Sequence, residues 1–415
     1  MTKLPAAHWL RALTTEERRT FGAALGGWAL DAMDVQIYSF VIPALMSLWN
    51  MSRGEAGIIG TSALISSAVG GWMGGWFADR YGRVRTLQAA ILWFAVFTLL
   101  CGLANNFNQL LLARSLMGFG FGGEWAAGAV LLGETIRAEH RGKALGIMQS
   151  GWAMGWGAAA LVYALSFSLL PPATAWRVMF FIGVTPAVGV FFLRRLVAEP
   201  AVYLRSRELA GHTDWNVFLD IFRPPLLKVT VLGALVGTGA QGGYNALTTW
   251  LPTFLRTERH LSVLDSSGYL AVLISGSFFG YLTGGYLSDR IGRRMTFLVF
   301  AICSGLLVFI YTSVPFGNAS MLALGFPLGF SGAGVFSGMG AFYTEHFPTH
   351  VRGVGQGFAY NIGRASGAVF PALVGMLSGR MGLGPAIGIF GAAAYALMAI
   401  AAFLLPETKG KTLRP

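Results

Sequence analysis

Five ionisable side chains lie well inside long apolar stretches of this chain: Asp31, Asp34, Arg114, Glu124 and Arg364. A charge in such a place is expensive unless it is paired or faces a water-filled cavity, so each is a functional candidate. Asp31 and Asp34 are three residues apart and can share one helix face, about 15–20 Å along from the start of their apolar run. Two carboxylates that close in a low dielectric cannot both ionise cheaply, which suits one of them to bind and release a proton. Permanent pairing of one with Arg114 is the structural alternative. Glu124 is turned about 80° from Arg114 on the same helix, so those two do not pair. It is either a second proton site or a hydrogen-bonding partner on the face of Gly120. Arg364 stands in the second half of the chain, where no carboxylate lies deep in an apolar run. A guanidinium holds a carboxylate bidentately. The anion is either a bound small molecule or, across the molecule, Asp31, Asp34 or Glu124. Arg114, Gln149, Gln241, Tyr244 and Asn361 complete the expected substrate-binding set, since a pocket needs a few polar groups among apolar walls. Trp28, Gln36, Tyr38, Trp152, Asn245, Phe336 and Tyr360 are further aromatic or amide residues at central positions.

The elements that must position these residues are membrane helices. Hydrophobic residues make up 54 % of the chain and charged residues 12 %, against about 25 % charged in soluble domains. The apolar residues come in runs long enough to cross a bilayer. Twelve spans are expected: roughly 21–48, 56–78, 86–104, 109–133, 143–170 and 177–197, then 228–254, 267–288, 295–314, 319–343, 353–377 and 384–405. The 57 glycines include close-packing pairs such as Gly118/Gly122, Gly151/Gly155 and Gly363/Gly367. Cys101 and Cys303 are isolated, and the six His lie outside or at the ends of apolar runs, so no metal, cofactor, disulfide or His proton relay is expected. The net charge of +12 sits in short loops without interleaved aromatics, which argues against nucleic acid. The polar N-terminus and long first run argue against a cleaved signal peptide.

The chain is also duplicated. Gly75-Trp-Phe-Ala-Asp79-Arg80-Tyr-Gly82-Arg83 returns as Gly285-Tyr-Leu-Ser-Asp289-Arg290-Ile-Gly292-Arg293. Glu134 with Arg141 returns as Glu345 with Arg352, and Glu199-Pro200 has a counterpart in Pro406-Glu407. Ordered features at one offset of about 210 residues indicate a repeated unit. Two membrane-spanning repeats imply a transporter with its site between them. The expected division is an N-terminal six-helix bundle (1–197), a polar linker with short surface helices (198–227) and a C-terminal six-helix bundle (228–415). Most of the 30 Lys and Arg fall at the termini and in the even-numbered connections, while the opposite connections carry Arg53, Arg177, Arg256, Arg259 and Arg380. By that bias both termini and the linker face the cytoplasm.

The repeated blocks at 75–85 and 285–294 resemble the signature of the major facilitator superfamily. The ending Pro406-Glu407-Thr408-Lys409-Gly410 resembles its sugar and organic-ion branches. Asp31-Ala-Met-Asp34, the run from Arg114 to Glu124-Trp125, and Asn361-Ile-Gly363-Arg364 resemble motifs of the carboxylate:proton symporters for sialate, lactate and aromatic acids. The resemblance implies an all-α fold of twelve transmembrane helices in two pseudo-symmetric bundles, working by alternating access as a monomer in a bacterial-type inner membrane. It implies a cytoplasmic gate at Asp79, Arg80, Arg83, Asp289, Arg290 and Arg293, with Glu134/Arg141 and Glu345/Arg352 as companion pairs. The leading expectation is proton-coupled uptake of a small organic anion, with Asp31, Asp34 or Glu124 carrying the proton and Arg364 the substrate. An organic-cation or multidrug antiporter and a sugar-type porter are the alternatives among transporters. A sensor or scaffold would call for a large soluble extension. An enzyme would call for a nucleophile–base pair, metal cluster or cofactor loop, and the run 118–123 lies in a span with no preceding strand.

Overall fold

The computed structural model describes residues 13–136, 138–195, 219–224, 226–347 and 351–408. Among them the chain is helical, with no strand. The helices are α1 (Thr15–Trp49), α2 (Arg53–Tyr81), α3 (Arg83–Leu103), α4 (Phe107–Thr135), α5 (Ala138–Leu169) and α6 (Pro172–Arg195) in the first half. The second half holds α7 (Leu226–Thr257), α8 (Val263–Ile291), α9 (Arg293–Ser313), α10 (Asn318–His346), α11 (Arg352–Gly367), α12 (Val369–Met381) and α13 (Leu383–Leu404). Eight of them are long and apolar enough to cross a membrane. Large apolar side chains such as Leu112, Leu161, Leu169, Leu306 and Phe403 face outward, as a lipid-embedded surface requires. All but eight residues of the expected linker lie outside the described residues.

Each expected span has its helix, with one correction. The span drawn as continuous over 353–377 is broken at Ala368 into α11 and α12. Pro371 is the cause: it has no N–H to offer the Gly367 carbonyl, and its ring crowds that carbonyl. Side chains of other helices meet the carbonyls beside the break. Thr61 Oγ1 of α2 donates to the Ala368 carbonyl at 2.7 Å, and Trp250 Nε1 of α7 to the Pro371 carbonyl at 2.9 Å.

The duplication is visible in the backbone. Gly82 and Gly292, at the same place in the two repeated blocks, have φ of 108° and 100°, a conformation that favours glycine. Each lets a new helix start at once, α3 after Gly82 and α9 after Gly292. The helices before these turns cross a partner through glycine in both halves. A methyl on Gly70 of α2 would sit 2.7 Å from the Phe119 carbonyl carbon of α4, and one on Gly280 of α8 3.0 Å from that of Phe330 of α10.

The ends of the helices are held by carboxylates. Thr14 and Glu17 form a reciprocal capping box on α1. Glu407 accepts from the N–H groups of Arg293 (2.9 Å) and Arg294 (3.1 Å), so the chain's closing motif caps α9, whose own N-cap glycine has no side chain. At the end of the molecule remote from Thr15 and Leu404, α2 packs directly on α12. A methyl on Gly57 would stand 2.8 Å from the Pro371 carbonyl oxygen. Beside that seam Arg53 reaches Glu258 at 3.7 Å, and Glu258 accepts from the Gly384 N–H at 2.9 Å.

Candidate functional site

Arg364 is 3 % exposed and Arg114 2 %, yet their surroundings differ. Arg114 Nη1 donates to the Asp34 backbone carbonyl at 3.3 Å and to the Met117 sulfur at 3.5 Å, with its guanidinium over the Tyr38 ring at 4.9 Å. It is built into the packing of α1 against α4. Arg364 lies over the Phe121 ring at 4.8 Å and the Tyr360 ring at 5.3 Å, and it borders a narrow cavity of about 30 Å³.

That chamber is formed by both halves of the chain. Trp28 and Val35 of α1, Leu64 of α2, Phe121 of α4, and Gln149 and Trp152 of α5 line one side. Gln241, Tyr244 and Asn245 of α7, Tyr281 of α8, Phe336 of α10, and Tyr360 and Arg364 of α11 line the other. The walls are largely aromatic. Trp28 packs on Trp152 with ring centroids 4.9 Å apart, and Tyr244 meets Phe336 edge-on at 5.4 Å. Trp152 Nε1 donates to Tyr244 Oη at 2.8 Å, a hydrogen bond between the halves.

Of the expected substrate residues, Arg364, Gln149, Gln241 and Tyr244 line the chamber, and Arg114 and Asn361 lie outside its lining. Asn361 instead donates to the Gly357 carbonyl on its own helix at 3.0 Å. Its Oδ1 rests against Gly71 of α2, where a methyl would come within 2.7 Å. Asp31 and Asp34 are fully buried and also lie outside the lining. Asp34 Oδ2 accepts from Thr98 Oγ1 at 2.6 Å, facing α3 rather than the chamber. The side chain of Glu124 lies outside those described.

The side chain of Arg352, the expected companion of Glu345, lies outside those described. Glu345 takes Arg293, with Nη2 to Oε1 at 2.9 Å, and it accepts from Thr408 Oγ1. This joins α9, α10 and the closing motif within one half. Arg290 is exposed. The side chains of Asp79, Arg80, Arg83, Glu134, Arg141 and Asp289 also lie outside those described.

The sequence reading did not single out Val35, Leu64, Phe121 or Tyr281. Tyr281 was recoverable: it is a hydroxyl in the middle of an apolar run, next to Gly280, and it faces the Tyr244 hydroxyl. Phe121 sits between Gly120 and Gly122 and had no comparable polar mark.

The model of the Major Facilitator Superfamily matches residues 24–371 and 276–415. The chain belongs to the major facilitator superfamily. It is therefore a multi-pass membrane transporter and not an enzyme. Among relatives in this superfamily, the "Probable 4-methylmuconolactone transporter" of Cupriavidus pinatubonensis is 41 % identical over 97 % of this chain and 93 % of that one. The "Cis,cis-muconate transport protein" of Acinetobacter baylyi is 31 % identical over 91 % and 92 %. The sialic acid transporter NanX of Escherichia coli is 27 % identical over 95 % of each chain. In fold, the chain is similar to the xylose transporter XylE from E. coli in a partially occluded inward-open conformation. The TM-score is 0.77 at 20 % identity, over 96 % of this chain and 100 % of that one.

Proposed function

We propose that this transporter carries a small organic carboxylate inward with protons. The observation behind this reading is Arg364: a buried guanidinium at the edge of a chamber walled by aromatic rings and a few neutral amides and hydroxyls. Such a site offers a carboxylate a charge-assisted partner and an apolar body for the rest of the molecule. Similarity to carriers named for muconolactone, muconate and sialic acid supports the same class. Asp31 and Asp34, buried on α1, are the proton sites of this reading, with Glu124 on α4 next. In this cycle the bundles 1–197 and 228–415 rock about the chamber, tethered by 198–227, and expose it to each side in turn. The positive bias of the even-numbered connections puts both termini in the cytoplasm of a bacterial-type cell, with the monomer as the working unit.

The reading is tested in proteoliposomes. Arg364→Ala abolishes uptake of organic acids while size-exclusion behaviour and melting temperature stay near those of the parent. Asp31→Asn or Asp34→Asn equilibrates substrate but no longer accumulates it under an imposed pH gradient. A thermal-shift screen against organic acids, organic cations and sugars separates the rival classes, since a ligand of the folded state raises its melting point. Stabilisation by cations alone defeats the carboxylate reading.

A further inference from the structure

Asn245 is a chamber residue for which the carboxylate reading has no task. It lines the cavity from α7 and is 8 % exposed, and its Nδ2 has no hydrogen-bond acceptor among the described residues. An enclosed amide donor without an acceptor is destabilising, and its presence in a native fold calls for a reason. Its neighbours are engaged: Tyr244 Oη holds the Trp152 N–H and faces Tyr281.

The height of Asn245 in the chamber follows from how α7 and α11 pack. The two run side by side in the same direction. A methyl on Gly363 would sit 2.7 Å from the Gly237 Cα, and one on Gly367 2.7 Å from the Gly242 nitrogen. Arg364 is therefore level with Thr238. Asn245 lies about 10 Å further toward the end remote from the termini, by the 1.5 Å rise per residue. Helical side chains also lean toward the helix N-terminus. Both side chains therefore lean the same way, with the Arg364 guanidinium over Tyr360 one turn earlier, and they stay apart along the helices. The cation stands nearer one end of the chamber and the amide donor nearer the other, and Trp28, Phe121, Trp152 and Phe336 share its lining.

We propose that Asn245 forms a second, neutral subsite, and that the substrate is a flat acid bearing a carbonyl-type oxygen at the end away from its carboxylate. This rests on the carboxylate reading given above. A site with a buried donor waiting for an oxygen rejects an analogue that lacks it far more strongly than an apolar wall rejects a small change of shape.

The test uses the full-length purified protein and two near-isosteric probes, 4-acetylbenzoate and 4-isopropylbenzoate, which differ by a ketone oxygen against a methyl group. Titration calorimetry is expected to show 4-acetylbenzoate binding at least about tenfold more tightly. Asn245→Leu is expected to weaken 4-acetylbenzoate about tenfold and to leave 4-isopropylbenzoate within about twofold. Should that variant fail to purify as a monodisperse species, Asn245→Ser is expected to shift the ratio in the same direction. Equal binding of the two acids by the parent protein overturns the subsite alone, as does an equal loss of both in the variant. Binding of neither acid by the parent overturns the carboxylate reading, and the subsite with it.

Discussion

Two arginines of equal burial make different predictions because their neighbours differ. Arg114 is tied to a backbone carbonyl and an aromatic face inside the first half. Arg114→Lys loses that geometry and is expected to cost about 1.5–3 kcal/mol of stability, the range for a hydrogen bond to a charged group. Thermal unfolding in detergent reads it. Arg364→Lys keeps the charge but loses the planar fork and the ring stacking. Its melting point is expected to hold while the affinity for organic acids falls at least about tenfold, a drop of about 1.4 kcal/mol. An unchanged affinity would remove the fork from recognition. Which residues were charged and deep was legible in the sequence, because polarity inside an apolar run needs no structure to be noticed. Which way each one points was not legible. Asn361 has an amide at the right depth, yet Gly71, far away in sequence, presents the surface that its Oδ1 meets. Asp34 likewise turns to Thr98 of α3.

Helix starts and breaks obey the same distinction. Two of the positive-φ glycines are legible, since the repeated block places Gly82 and Gly292 alike and each is followed at once by a helix. Gly292→Ala is expected to cost about 1–2 kcal/mol for the left-handed conformation. A methyl there also comes 2.6 Å from Glu407 Oε2, so the capping carboxylate must move. Glu407→Gln keeps the shape but weakens the charged cap, and about 1 kcal/mol of stability goes with it. Denaturation of the two variants against the parent checks both. The break at Ala368 was not legible although Pro371 stands in the sequence. Pro43, Pro252 and Pro327 lie inside α1, α7 and α10 without ending them. At Pro371 donors from two other helices, Thr61 and Trp250, meet the carbonyls of Ala368 and Pro371 beside the break.

At the scale of the whole molecule, the end remote from the termini is shut where α2 meets α12 at backbone distance, with Arg53 and Glu258 alongside. Gly57→Leu cannot be accommodated there without parting the two helices. The expected outcome is slower uptake together with faster labelling of a cysteine placed at Val35, in the chamber, by a bulky reagent applied from that side. Unchanged labelling would mean that the seam yields elsewhere. That the two halves repeat and pack around a shared centre was legible from spacing alone. The closeness of this seam was not, because it depends on small residues from opposite halves coming into register.

The hydroxyl of Thr61 and the carbonyl of Ala368 belong to opposite halves, and in the proposed cycle each loses its partner when those halves swing apart. Hydrocarbon offers a carbonyl nothing in exchange. In that cycle water must therefore enter the crevice as it opens and leave again as it shuts. Anything that dries the crevice, such as a wedged lipid tail or a detergent molecule, is expected to hold this carrier closed on that side.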